Sequence, residues 1–568
     1  MRNKRRYSIT VASMVLMLSL SASVALADHG GSISPELDVV GHLDLPQVPG
    51  SNITDVWAFG DYAYLGTFDE GACSLDYTGV HIIDISDPAD PNQVGFIASP
   101  PGTRANDVKV AHLETPFFSG EILVHSNESC GSPFNPRAQS QGGAFIPGQG
   151  GVAIYDVSDP LRPRALKLNF LKFPVHNTYI WQDGDRAFML VVDDVNTQDV
   201  HVVELTKPQS PKEIAVTGQL DWPPDIDSIG DGEVFLHDVW VQENDGQFTA
   251  YLSYWDAGLV LLDVTDPANP VFLGDSDYLD PDPLSGEAPE GNSHVAVPNA
   301  DGTRVLMGDE DFAAGALTLF QFDGADFPAT EGAFTPPVFT LPGAAFSGTM
   351  HWTGGEGCTQ GEFDRAANLG EIALIQRGTC FFSTKAANAQ ALGYAGFVVA
   401  NNVGDGLITM SAGTDDVITI PGFFVGQSTG EVMKAADPPG GTLNTEGIFD
   451  GYGYLRLLDV SDPANIVELD QFATENVFAN PPLPGDRTMH NVVVDSGTTA
   501  YISWYAEGMR VVDFSDDSLT EIAHFVDTTE GSNFWGVYLH DHPDGNTYIL
   551  GSDRMTGLWI FADPVSTP

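Results

Sequence analysis

Seven near-copies of one strand-and-turn phrase, each preceded by two short apolar strands, predict an all-β fold, a seven-bladed β-propeller. One over-long step between copies predicts a domain-sized insert in blade five, and an Ala-rich helix-like segment between short apolar strands within it makes it a smaller α+β domain. The copies read GVHIIDISDPADP from Gly79, GVAIYDVSDPLRP from Gly151, DVHVVELTKPQSP from Asp199 and GLVLLDVTDPANP from Gly258. The others are GYLRLLDVSDPANI from Gly453, GMRVVDFSDDSLT from Gly508 and GLWIFADP from Gly557.

Upstream of each phrase a first strand begins at TDVWA (Thr54), NDVKV (Asn106), HNTYI (His176), HDVWV (His237), SHVAV (Ser293), HNVVV (His490) or WGVYL (Trp535). A second strand follows, such as TAYLSYW or TAYISWY, and a fourth, such as QVGFIA, comes after the Asp-Pro turn. Four strands of alternating apolar residues form one blade. The last unit stops after three strands, and LDVVGHLDL (Leu37 to Leu45) supplies an orphan fourth, so the N-terminal strand is expected to close the ring and cover its edge. Between turn positions Asp87, Asp159, Lys207, Asp266, Asp462, Asp516 and Asp563 the steps are 72, 48, 59, 196, 54 and 47 residues. Removing residues 310–449 reduces the long step to 56. The expected division is therefore 1–27 signal peptide, 28–309 and 450–568 propeller, and 310–449 insert.

VHIIDIS, LVLLDVT, LRLLDVS and MRVVDFS resemble the LVIVD repeats of exported and surface-associated propeller-like proteins. That resemblance implies architecture and no particular chemistry. Within the insert, Gly357-Cys358, the run Gly370 to Gly378, Cys380-Phe381 and the helix-like Lys385 to Gly396 resemble a protease-associated (PA) domain. An Ala-rich amphipathic segment between two short apolar strands fits the same reading. The resemblance implies a small domain found on secreted peptidases and receptors, binding peptides or shaping substrate access without being catalytic.

MRNKRR, the apolar stretch Ile9 to Val24 and Ala25-Leu26-Ala27 have the form of a secretory signal peptide, so a secreted, extracellular or cell-surface protein is expected, periplasmic if the source has an outer membrane. No later run approaches the ~20 apolar residues of a membrane span. A formal charge of -55 repels nucleic acid and anionic lipid and argues against both as partners. Four cysteines in an exported chain suggest two disulfides, Cys358 with Cys380 and, in equivalent loops of the first two repeats, Cys73 with Cys130.

The chemical constellation outside the insert lies at the first-strand starts. His176, His237 and His490 take the first position, His294 the second, with Asp107 and Asp238 at second positions of their own blades. First strands line the central channel, so these side chains are candidate ligands of a divalent metal ion, Ca²⁺ or a transition metal. The acidic loops Asp69-Glu70, Asp193-Asp194, Asp309-Glu310-Asp311 and Asp553 are expected to edge the same face and to suit Ca²⁺. The bland alternative is that polar strand starts hydrogen-bond neighbouring blades. His540 and His542, in the turn LHDHPDG, are expected at the surface. There is no H-E-x-x-H pattern. The leading expectation is an exported binding protein whose PA domain recognises protein or peptide, with polysaccharide a further ligand class. The alternative is a metal-dependent hydrolase or oxidase using the His/Asp ring.

Overall fold

The computed structural model describes residues 34–45, 51–69, 78–129, 150–193, 196–222, 226, 234–276, 278, 291–410, 413, 417–438 and 440–565. The expected signal peptide and the Cys73–Cys130 pairing lie outside the described residues.

Seven four-stranded antiparallel sheets form the blades. Blade one consists of Ser51–Phe59, Tyr62–Asp69, Gly79–Asp84 and Asn92–Ala98. Blades two, three, four and six follow the same order, opening at Val108–Thr115, Thr178–Asp183, Leu236–Asn244 and Val492–Val494. Blade seven takes its fourth strand from the other end of the chain. Val39–Leu43 pairs with Gly557–Ala562, setting His42 opposite Trp559 and Leu43 opposite Leu558.

The repeated phrase folds as it does because its two aspartates each close an Asx turn. Asp84, Asp263 and Asp459 accept the N–H two residues on, from Ser86, Thr265 and Ser461, all at 2.9 Å. Asp87 and Asp266 repeat this with Ala89 at 3.1 Å and Ala268 at 3.3 Å. The second aspartate's carbonyl then accepts from the residue three on, Asp90 or Asn269, at 2.9 Å, with proline at the favoured second turn position. The leading glycines are required by space. A Cβ at Gly151 or Gly508 would lie 1.9 Å from the carbonyl oxygen of Phe170 or Phe525, and both residues have φ near +80°.

Every pair of adjacent blades encloses its own apolar cluster. Ile82 and Val110 belong to the one between blades one and two, Ile154 and Met189 to the next, and Leu190 and Leu252 to the third. Leu261 with Met307, Leu457 with Ile502, Val511 with Ile549, and Leu550 with Ile53 mark the rest of the circuit. The expectation that His540 and His542 lie at the surface is wrong, since they are only 4% and 5% exposed. His540 Nε2 lies 2.8 Å from Gly60 O and His542 Nε2 3.0 Å from Ile85 O, so both imidazoles bind blade seven to blade one.

Blade five is interrupted between its second strand, Arg304–Asp309, and its third, Leu455–Asp459, which nevertheless pair directly. Arg456 locks this junction. Only 2% exposed, it donates to Asp309 Oδ2 at 2.6 Å and Glu468 Oε2 at 3.0 Å and lies over the rings of Tyr278 and Tyr454. The intervening segment builds an eight-stranded sheet. At its centre Ala345–Trp352, Glu371–Gln376, Gly396–Ala400 and Gly422–Val425 run parallel. The helix Phe382–Ala391 packs Ala386 and Ala389 on the face bearing Ala373 and Ile375, and Met433 of Gln427–Ala435 packs on the face bearing Ile372 and Leu374. Cys358 and Cys380 form a disulfide. Among the described residues no helix is long and apolar enough to cross a membrane.

Candidate functional site

The first strands bring the four candidate histidines into one arc across four consecutive blades. Ring centroids are 4.4 Å apart for His176–His237, 4.2 Å for His237–His294 and 4.1 Å for His294–His490. Trp535 of blade seven extends the arc at 4.2 Å from His490. His176 and His490 border a small pocket together with Asp238 and Lys109. The His176 side chain is 14% exposed and those of His294 and His490 3%, so solvent reaches the arc from its blade-three end.

Asp107 and Asp238 are not drawn to the imidazoles. Lys109 Nζ donates to Asp107 and, at 2.8 Å, to Asp55. Asp107 also accepts from Thr178 N and Oγ1 at 2.9 and 2.7 Å, and Asp238 from Val239 N at 2.7 Å. Burial raises Asp55 to about 6 and Asp238 to about 7, against the pull of Lys109. Burial also pulls the Lys109 ammonium downward, but Asp107, Asp55 and Asp238 outweigh it and hold the pKa above its ordinary value.

Much of this polar layer stitches blades together, as the bland alternative expects. Thr54 Oγ1 donates to Ala105 O, Asn177 Nδ2 to His237 O, and Ser503 Oγ to Trp535 O. His237 Nδ1 lies 3.3 Å from His294 O, continuing the series.

The carboxylates that do face the imidazoles come from second-strand exits. Glu128 Oε1 lies 3.7 Å from His176 Nδ1, and its other oxygen accepts from Arg104 Nε at 2.6 Å. Burial alone would raise the Glu128 pKa, but Arg104 and then His176 hold it well below the carboxylate range. Glu310 lies 3.8 Å from His294 Nε2 through one oxygen and 3.7 Å from His490 Nε2 through the other, and accepts from Tyr505. By sequence, Glu310 belongs only to an acidic loop expected to suit Ca²⁺. The signal that finds it is position, because Trp255, Glu310, Tyr505 and Arg554 all directly follow a second strand and all reach the arc or Trp535.

Among the described residues one group of three metal-ligating side chains has donor atoms within 4.8 Å of one another: His237, His294 and Glu310. Apart from Glu310, no described residue of the acidic loops belongs to such a group. Asp309 is held by Arg456, Asp193 by Asn196 at 2.7 Å, and Asp553 by the N–H groups of Asn533, Met555 and Thr556. The insert departs from this same mouth, for Phe312 packs against Tyr505 with ring centroids 5.5 Å apart.

Gly426-Gln427-Ser428-Thr429-Gly430 spells G-x-S-x-G at a strand-to-helix turn of the insert, a pattern that can present a nucleophilic serine. Here Ser428 N donates to Asp405 Oδ1 at 2.6 Å. His351 stands three strands away in the sheet, about 14 Å at the usual strand spacing, too far to activate Ser428.

Residues 344–433 match the PA domain, and residues 50–98 and 236–277 match the LVIVD repeat. The seven-bladed propeller thus contains LVIVD repeats, and its insert contains a PA domain. Vacuolar-sorting receptor 1 of Pisum sativum is 39% identical over 88 residues, 14% of this chain and 14% of the receptor. The E3 ubiquitin-protein ligase Godzilla of Drosophila melanogaster is 44% identical over 62 residues, 11% of this chain and 12% of the ligase. The chain thus spans only about a seventh or less of the length of either relative. A zinc aminopeptidase from Bacillus subtilis superposes with a TM-score of 0.22 at 18% identity, over 28% of this chain and 36% of its own, too slight a likeness to carry an argument.

Proposed function

We propose that this protein is an exported interaction protein, in which the propeller is the rigid platform and the PA domain binds peptide or protein at the channel mouth. The observation that carries the reading is the root of the insert. Glu310 lies among the channel imidazoles and Phe312 packs on Tyr505, so the insert that carries the PA domain begins at the arc. A stretch of 88 residues of the chain is also similar to a protein named as a receptor. Panning a random-peptide display library against the full chain, followed by hydrogen exchange with selected peptides, tests the reading. Enriched peptides that protect amides within 344–433 support it. No enrichment, or protection confined to the Asp-Pro turns, refutes it. Amino-terminal sequencing of protein recovered from culture medium checks export, with Asp28 the expected first residue.

The grouping of His237, His294 and Glu310 favours a second reading, a metal-dependent hydrolase or oxidase at the channel. The two readings part on turnover of model esters and phenols by metal-supplemented protein.

A further inference from the structure

We infer that His237, His294 and Glu310 bind one divalent transition-metal ion of the zinc class at the channel mouth. The inference rests on the arc alone and stands whether or not the PA domain binds peptide.

The donor set is two imidazole nitrogens and one carboxylate oxygen, a combination that zinc accepts and that the oxygen-seeking ions Ca²⁺ and Mg²⁺ do not favour. The donor atoms already lie within 4.8 Å of one another. Zinc–nitrogen bonds of 2.0–2.1 Å imply a tetrahedral edge of about 3.3 Å, so side-chain shifts of about 1.5 Å or less close the set. The two Glu310–imidazole separations, 3.7 and 3.8 Å, exceed hydrogen-bond length and lie close to that edge.

The surroundings resemble an outer ligand shell. His237 Nδ1 faces the His294 carbonyl at 3.3 Å, a contact that suits an N–H there and leaves Nε2 as the donor, which is how metal-bound histidines are usually oriented. Tyr505 donates to one Glu310 oxygen and fixes the carboxylate's rotation. His490 Nε2, beside that same oxygen, places a fourth candidate donor next to the trio. His237 and His294 come from the first strands of blades four and five, Glu310 from the exit of a blade-five strand, and all three are buried, at 6%, 3% and 2% exposure. Asp107 and Asp238, which the sequence offered as ligands, are replaced in this assignment by Glu310.

The test uses the full chain with any affinity tag removed, stripped with chelator and titrated with Zn²⁺ by calorimetry, with Ca²⁺ and Mg²⁺ as comparisons. One tight zinc equivalent is expected, together with at least a tenfold loss of affinity in Glu310→Gln and in His237→Ala, as removal of a ligand requires. Circular dichroism of each variant reports folding. X-ray absorption on the zinc-loaded wild type reads the donors without any mutation, and scattering from two or more imidazoles is expected. No stoichiometric zinc, unchanged affinity in well-folded variants, or a spectrum of oxygen donors alone would overturn the assignment, the last placing the ion on surface carboxylates.

Discussion

Replacing Arg456 by Met should destabilise the propeller by about 3–5 kcal/mol, the usual result of removing one member of a buried ion pair. The size follows from what the guanidinium satisfies. It donates to Asp309 Oδ2 at 2.6 Å and to Glu468 Oε2 at 3.0 Å, and the side chains of all three residues are 4% exposed or less. Methionine fills similar volume but leaves two carboxylates without their cation in a site water hardly reaches. Their desolvation then dominates over the packing that is kept. Guanidinium denaturation followed by tryptophan fluorescence measures the loss. Adding Asp309→Asn and Glu468→Gln to the same chain should recover at least about 1–2 kcal/mol, because the amides tolerate burial without a cation. A loss below about 1 kcal/mol in the single variant, or no recovery in the triple, would refute the view that Arg456 holds the interrupted blade together.

Burial raises Glu331 to about 7, although Val338 N donates to its carboxylate at 2.7 Å. A raised folded-state pKa adds stability below the ordinary value of 4.5 that is lost as pH rises through about 7, so Glu331→Gln should flatten up to about 3 kcal/mol of pH dependence, read by hydrogen exchange within 344–433 at pH 5 and pH 8. Converting Cys358 and Cys380 together to Ser opens a loop with sequence separation 22 and should cost the PA domain about 3 kcal/mol, measured as the change in its urea midpoint. Gly508→Ala forces a Cβ against the Phe525 carbonyl and should cost at least about 1 kcal/mol, whereas Gly545→Ala meets no neighbour within 4 Å and should cost less; equal melting temperatures for the two would count against the steric argument.

The propeller was legible because its information is local and repeated. Asp266, Pro267 and Asn269 specify their turn through contacts within a few residues, and the excess step near residue 310 shows where the series breaks. The arc was half legible. His176, His237, His294 and His490 share a position in the repeat, so topology alone gathers them. Glu310 and Tyr505 gain their roles from long-range contacts, 195 residues apart in sequence, which no local pattern encodes. His540 and His542 misled for a related reason. HDHPDG reads as an exposed turn, but ring closure lays blade one over it, and the partners, Gly60 and Ile85, lie more than 450 residues away.

The break in blade five also sets a clock. The hairpin Ser293–Asp309 is complete early in synthesis, yet the strand that covers its outer edge, Leu455–Asp459, emerges only after residues 310–454. At ordinary translation speeds of about 5–20 residues per second, that edge waits roughly 7 to 30 s, against microseconds for the hairpin itself. Arg304 and Asp309 bracket the waiting apolar run with opposite charges, the kind of guard that discourages pairing with another chain. In the finished fold these residues lie in salt bridges, and during synthesis the same two charges would shield the edge.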